Sequence, residues 1–185
     1  MRNFDYKKVA LGILTLCLTL AILFTGQFFW NKYTLNKPIN ETLNSIEGIQ
    51  IVEISSESDN KNISKPKIFL TLNNVENIQI LYKEVINTLS VYNSSEKYEI
   101  IIKDTRNESL EDFYYQVHYY IQEAITIGNF PNMIEKIREK AKDEFQVKVY
   151  VDTDYIYLDI RDIKTNLTSQ MYIVIPRISY KREVK

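Results

Sequence analysis

Hydrophobic and polar positions change rhythm several times along this chain. From Val9 to Trp30 the sequence VALGILTLCLTLAILFTGQFFW runs for twenty-two residues without a charge. At 1.5 Å per residue, such a helix spans a hydrocarbon core of roughly 30 Å, which predicts a transmembrane anchor over 9–30. Phe28, Phe29, Trp30 and Tyr33 at its end suit an interfacial aromatic belt. Residues 31–47 are polar, contain Pro38, and read as a linker or a short helix.

Alternation then predicts strands at 48–55 and 67–73, the second with Ile68, Leu70 and Leu72 on one face. Over 76–92 the period becomes helical, with Ile78, Leu81, Val85, Leu89 and Tyr92 forming a stripe. The run Ile100, Ile101 and Ile102 within 98–104 predicts a strand covered on both faces. A helix over 109–128 follows, with Ser109 as N-cap and Gly128 as C-cap. Pro131 opens another, whose stripe is Ile134, Ile137, Ala141 and Phe145.

VKVYVDTDYIYLDIR at 147–161 is the clearest hairpin. A turn at Thr153 and Asp154 pairs Val151 with Ile156, Tyr150 with Tyr157, Val149 with Leu158, Lys148 with Asp159 and Val147 with Ile160. Each pair is like with like or opposite in charge, as cross-strand stabilisation favours. A last strand at 170–176 follows a turn around Asn166. The order β-β-α-β-α-α-β-β-β predicts an α/β (α+β) two-layer sandwich with a mixed, mainly antiparallel sheet behind the anchor.

Charge bias decides which way such an anchor would face. Arg2, Lys7 and Lys8 precede it, so the positive-inside rule assigns 1–8 as a cytoplasmic tail. An extracytoplasmic domain at 48–180 and a charged tail at 181–185 follow. Formal net charge over the 185 residues is -1, which offers no electrostatic reason to expect a nucleic-acid partner.

Candidate chemistry is sparse. Cys17 is the sole cysteine, within the apolar run, so the rest of the chain lacks a thiol nucleophile, a CxxC pair and an internal disulfide. No calcium loop of the D-x-D-x-D-G type and no nucleophile-elbow motif is present, so neither metal nor cofactor is expected. His118, the one histidine, has Tyr114, Tyr115, Ile121 and Gln122 where a helical metal site needs a second ligand.

Two tyrosine surfaces remain. Placing 110–128 on a helical wheel groups Leu110, Val117, Ile121 and Ala124 inward, while Tyr115, His118, Tyr119 and Gln122 lie side by side toward the polar face. On the terminal hairpin, Tyr150, Tyr157, Asp159 and Tyr172 share the face opposite the aliphatic one. Tyrosine gives large contact area at low entropic cost, so both groups are candidate contact surfaces. The expectation is a non-enzymatic, single-pass membrane protein whose outer domain binds an envelope protein or assembles with copies of itself. A small-molecule or glycan sensor is the alternative, and an envelope hydrolase using His118 a third.

Overall fold

The computed structural model describes residues 6–30, 37–55, 65–92, 98–164 and 168–177, with the side chains of 6–11 and 26–30 excepted. Helix α1 covers Tyr6–Trp30 and helix α2 Lys37–Asn44; β1 (Ile49–Ser55) and β2 (Lys67–Leu72) follow. Then come α3 (Ile78–Val91), β3 (Glu99–Lys103), α4 (Glu108–Ile127) and α5 (Phe130–Ala141). Strands β4 (Phe145–Val151), β5 (Tyr155–Asp162) and β6 (Gln170–Pro176) close the chain.

The first half is built on β1, β2 and β3. β1 runs antiparallel to β2, and β2 parallel to β3, so α3 serves as the crossover between them. Asn77 caps α3 by accepting from the N–H groups of Gln79 at 2.9 Å and Ile80 at 3.3 Å. The α3 stripe of Ile78, Leu81, Tyr82, Val85 and Leu89 is buried on the sheet. The stretch expected as a linker holds α2, whose Ile39 and Leu43 are fully buried in this core. Asn40 ties α2 to β1 by donating to the Val52 carbonyl at 2.8 Å.

In the second half β4, β5 and β6 form an antiparallel meander beneath α4 and α5. Ile156, Leu158, Ile160 and Met171 meet Leu110, Val117 and Ile121 in its core. Gly128 ends α4 at φ 85°, the left-handed conformation that glycine adopts without a Cβ penalty. The stripe expected to run on to Phe145 stops at Ala141, and Phe145 instead begins β4.

Several expectations are corrected. The single mixed sheet is two three-stranded sheets, β1-β2-β3 and β4-β5-β6. They meet where β3 ends beside β6, but Asp104 Oδ2 takes the Tyr172 N–H and Thr105 Oγ1 the Gln170 N–H, each at 3.1 Å. One backbone bond, from the Thr105 N–H to the Gln170 carbonyl at 3.1 Å, crosses there; side-chain oxygens take the other N–H groups, so the ladder goes no further. The expected anchor is corrected too: among the described residues, no helix is long and apolar enough to cross a membrane. The side chains of the expected tail at 1–8, the aromatic belt, the turn at Asn166 and the tail at 181–185 lie outside the described residues.

The cap of α4 is Asn107, two residues before Ser109. Its Oδ1 accepts from the Leu110 N–H at 2.9 Å, while its Nδ2 donates to buried Asp162 at 3.0 Å. Asn107→Ala is expected to cost about 2 kcal/mol, above the usual cap because Asp162 also loses a donor. Urea denaturation measures this, and a loss of only a few tenths would show that the cap contributes little.

Candidate functional site

The outer face of α4 carries the first tyrosine group. Tyr115 and Tyr119 are 67% and 60% exposed, one turn apart, because the buried stripe of Leu110, Val117 and Ile121 holds the opposite side of the helix. Their rings meet edge to face at 5.9 Å, and the Tyr119 hydroxyl donates to that of Tyr115 at 3.3 Å. That donated bond holds the Tyr119 phenol's pKa above its ordinary value. His118 is half-buried beside them, between the rings of Tyr114 at 5.7 Å and Tyr119 at 6.1 Å. Its Nδ1 lies 3.4 Å from the Tyr114 hydroxyl, a long contact. Gln122 is exposed one turn further on.

The second group occupies a different place. Tyr157 is fully buried, Asp159 is 2% exposed and Tyr172 7%, with Tyr150 half-buried. The candidate docking surface on the hairpin is therefore corrected: this face of β4-β5-β6 is covered by the first half of the molecule. Tyr157 and Tyr172 join the core of α3 and β2. Burial raises the Tyr172 phenol to about 12, with the Asp159 carboxylate adding to the shift. No group of three or more histidine, cysteine or carboxylate side chains among the described residues is placed to hold a metal ion.

A cleft that the sequence reading missed opens at the start of α4. Its volume is about 660 Å³. Glu108 and Asp112 line it on the α4 side, Lys140 and Lys142 on the side where α5 passes into β4. Phe113 and Phe145 lie between, stacked at 4.5 Å and 28°. Lys142 holds φ at 45°, a left-handed backbone uncommon for a lysine. The acidic and basic pairs lie some thirty positions apart in sequence, so only the packing of α4 against α5 reveals the cleft.

No family model and no solved structure matches this chain. Among curated proteins, a replication factor C small subunit of Methanocaldococcus jannaschii is similar, 29% identical over 164 residues. The match covers 78% of this chain and 9% of that protein, so this chain spans about a tenth of its relative. This likeness, with no membrane-spanning helix among the described residues, corrects the functional expectations. The membrane anchor, the extracytoplasmic placement, the envelope role with its sensor and hydrolase alternatives, and the exclusion of nucleic-acid partners are all withdrawn.

Proposed function

We propose that this chain is a non-enzymatic docking module of a replication assembly, which holds a protein partner with the outer face of α4. The observation that carries the docking role is the exposed, mutually bonded pair of Tyr115 and Tyr119. Two large rings held by each other lose little entropy on binding, which is the property of interface anchors. The replication setting is supported by the similarity to a protein named as a replication factor subunit. A non-catalytic role is supported by the surroundings of His118, whose ring contacts are the phenols of Tyr114 and Tyr119. A protein partner is favoured over a phosphate backbone because the exposed charges one turn before the pair, Glu111 and Asp112, are both acidic, and Glu123 beyond it is paired with Lys136.

The test places a photo-crosslinking residue at Tyr119 of the full chain in its native cells, with adducts read by mass spectrometry. The expected adduct is one defined replication protein, and Tyr115→Ala with Tyr119→Ala should reduce its capture at least tenfold. Both side chains are exposed, so the melting temperature should stay within about 2 °C. Adducts only with DNA, only with copies of this chain, only with proteins outside replication, or none at all, overturn the reading.

A further inference from the structure

The cleft beside α4 is a candidate binding site in its own right, and its charges say what would occupy it. Glu108, Asp112, Lys140 and Lys142 are all exposed, and none of the four is in an ion pair among the described residues. Glu144, also at the rim, is taken by Lys164 and so leaves the two lysines uncompensated. An acidic wall therefore faces a basic wall across an apolar floor of Phe113 and Phe145. A ligand with a single sign of charge would satisfy one wall and be repelled by the other. The volume of about 660 Å³ lies within the range of ligand-binding clefts.

Continuity with the tyrosine face separates a peptide from a small molecule. Gln116 lines the cleft and lies one turn from both Asp112 and Tyr119 along α4. A chain seated on Tyr115 and Tyr119 can run over Gln116 into the cleft without leaving the helix surface. The backbone of Lys142 adds an independent sign. A lysine kept in left-handed conformation, where glycine would relax it, is the kind of local strain that clusters at binding clamps.

Resting on the docking reading above, we propose that the cleft takes an extended segment of the partner protein carrying both signs of charge. A basic side chain faces Glu108 and Asp112, an acidic one faces Lys140 and Lys142, and an apolar or aromatic side chain between them lies on Phe113 and Phe145.

The experiment selects displayed random heptapeptides on the immobilised full chain. The expected winners carry one basic and one acidic residue flanking an apolar or aromatic one. Binding of a winner should fall at least tenfold with Asp112→Lys or with Lys140→Glu, and two- to fivefold with the milder Lys140→Gln. All three replace exposed side chains, and an unchanged melting temperature confirms folding. Winners of a single charge sign, winners indifferent to both charge reversals, or no enrichment, overturn the inference. Its failure is separable from that of the docking reading. A persistent Tyr119 adduct with no such peptides removes the cleft alone. Peptides that obey the charge rule, without any Tyr119 adduct, remove the tyrosine face and leave a cleft that binds by itself.

Discussion

Asp152→Ala should lower the unfolding free energy by about 3 kcal/mol, because one carboxylate closes a turn and joins the two halves of the molecule. Its Oδ1 accepts from the N–H groups of Asp154 and Tyr155, each at 2.8 Å, which shapes the β4–β5 turn. Its Oδ2 accepts from the Tyr157 hydroxyl at 2.9 Å and from Gln79 Nε2 at 3.3 Å, and faces Lys83 Nζ at 3.1 Å. Tyr157 is fully buried, so removing the acceptor orphans its hydroxyl away from water. Such a group costs about 1–3 kcal/mol, and the two turn amides add to it. Lys83 is half exposed and contributes little beyond this. Asp152→Asn retains one acceptor oxygen and should lose about half as much.

The same carboxylate predicts an acid response. Burial pushes its pKa up, but the bonds from Tyr155, Asp154, Lys83 and Tyr157 outweigh that and hold it well below the usual carboxylate range. A depressed folded pKa means the stabilisation is complete above the unfolded value near 4 and fades as pH falls below it. Denaturation at pH 7 and at pH 3 should show a loss in the parent protein that Asp152→Asn largely lacks. Parallel pH curves for the two, or a loss below 1 kcal/mol for Asp152→Ala at pH 7, would show that the network is decoration.

Asp152 also marks where sequence reasoning reached its limit. The β4–β5 pairing, from Val147 with Ile160 to Val151 with Ile156, was legible because alternation and like-with-like pairs leave a single register. The buried stripe of α4 was legible for a similar reason: a 3.6-residue period names the inward side. Alternation says which residues share a face, but not what covers that face. Tyr157 and Asp159 carry polar tips and read as solvated; they are buried because Asp152 takes the Tyr157 hydroxyl and Gln170 donates to Asp159. The split between the sheets hung on two side-chain oxygens, at Asp104 and Thr105, which periodicity does not register. Ser109 and Asn107 are both good caps, and only the reach of Asn107 to Leu110 decides between them. Of the candidate site, the tyrosines of α4 were visible on the wheel, whereas the cleft needed residues some thirty positions apart to be brought face to face.

The covered face of the second sheet leads to the largest effect expected, that of Tyr82→Ala. Tyr82 projects from α3, is 8% exposed, and meets Tyr155 at 5.3 Å and Tyr157 at 5.9 Å, both edge to face. Deleting a buried aromatic ring costs about 3–5 kcal/mol, combining lost transfer energy with the cavity left behind. The apolar cores on either side are separate clusters, one around Val85 and Leu89 and the other around Val117 and Ile121. With the ring gone, the core around Val117 and Ile121 is untouched, while the core around Val85 and Leu89 loses part of its hold on Tyr155 and Tyr157 of the second sheet. Hydrogen exchange should then show α3 and β1–β3 opening at lower denaturant than α4 and β4–β6, where the parent protein opens as one unit. Ile121→Ala, inside one core, should lower stability comparably without separating the two. Tyr82→Phe isolates the hydroxyl: burial first, and then Tyr155, pushes the Tyr82 phenol up to about 12. A raised folded pKa keeps its stabilisation whole below the ordinary value near 10 and loses it as pH rises through about 12. The parent protein should therefore weaken across that alkaline window more than Tyr82→Phe does. A single coincident transition in Tyr82→Ala, with less than 1 kcal/mol lost, would mean that the halves are joined by Asp152 and its partners rather than by stacked rings.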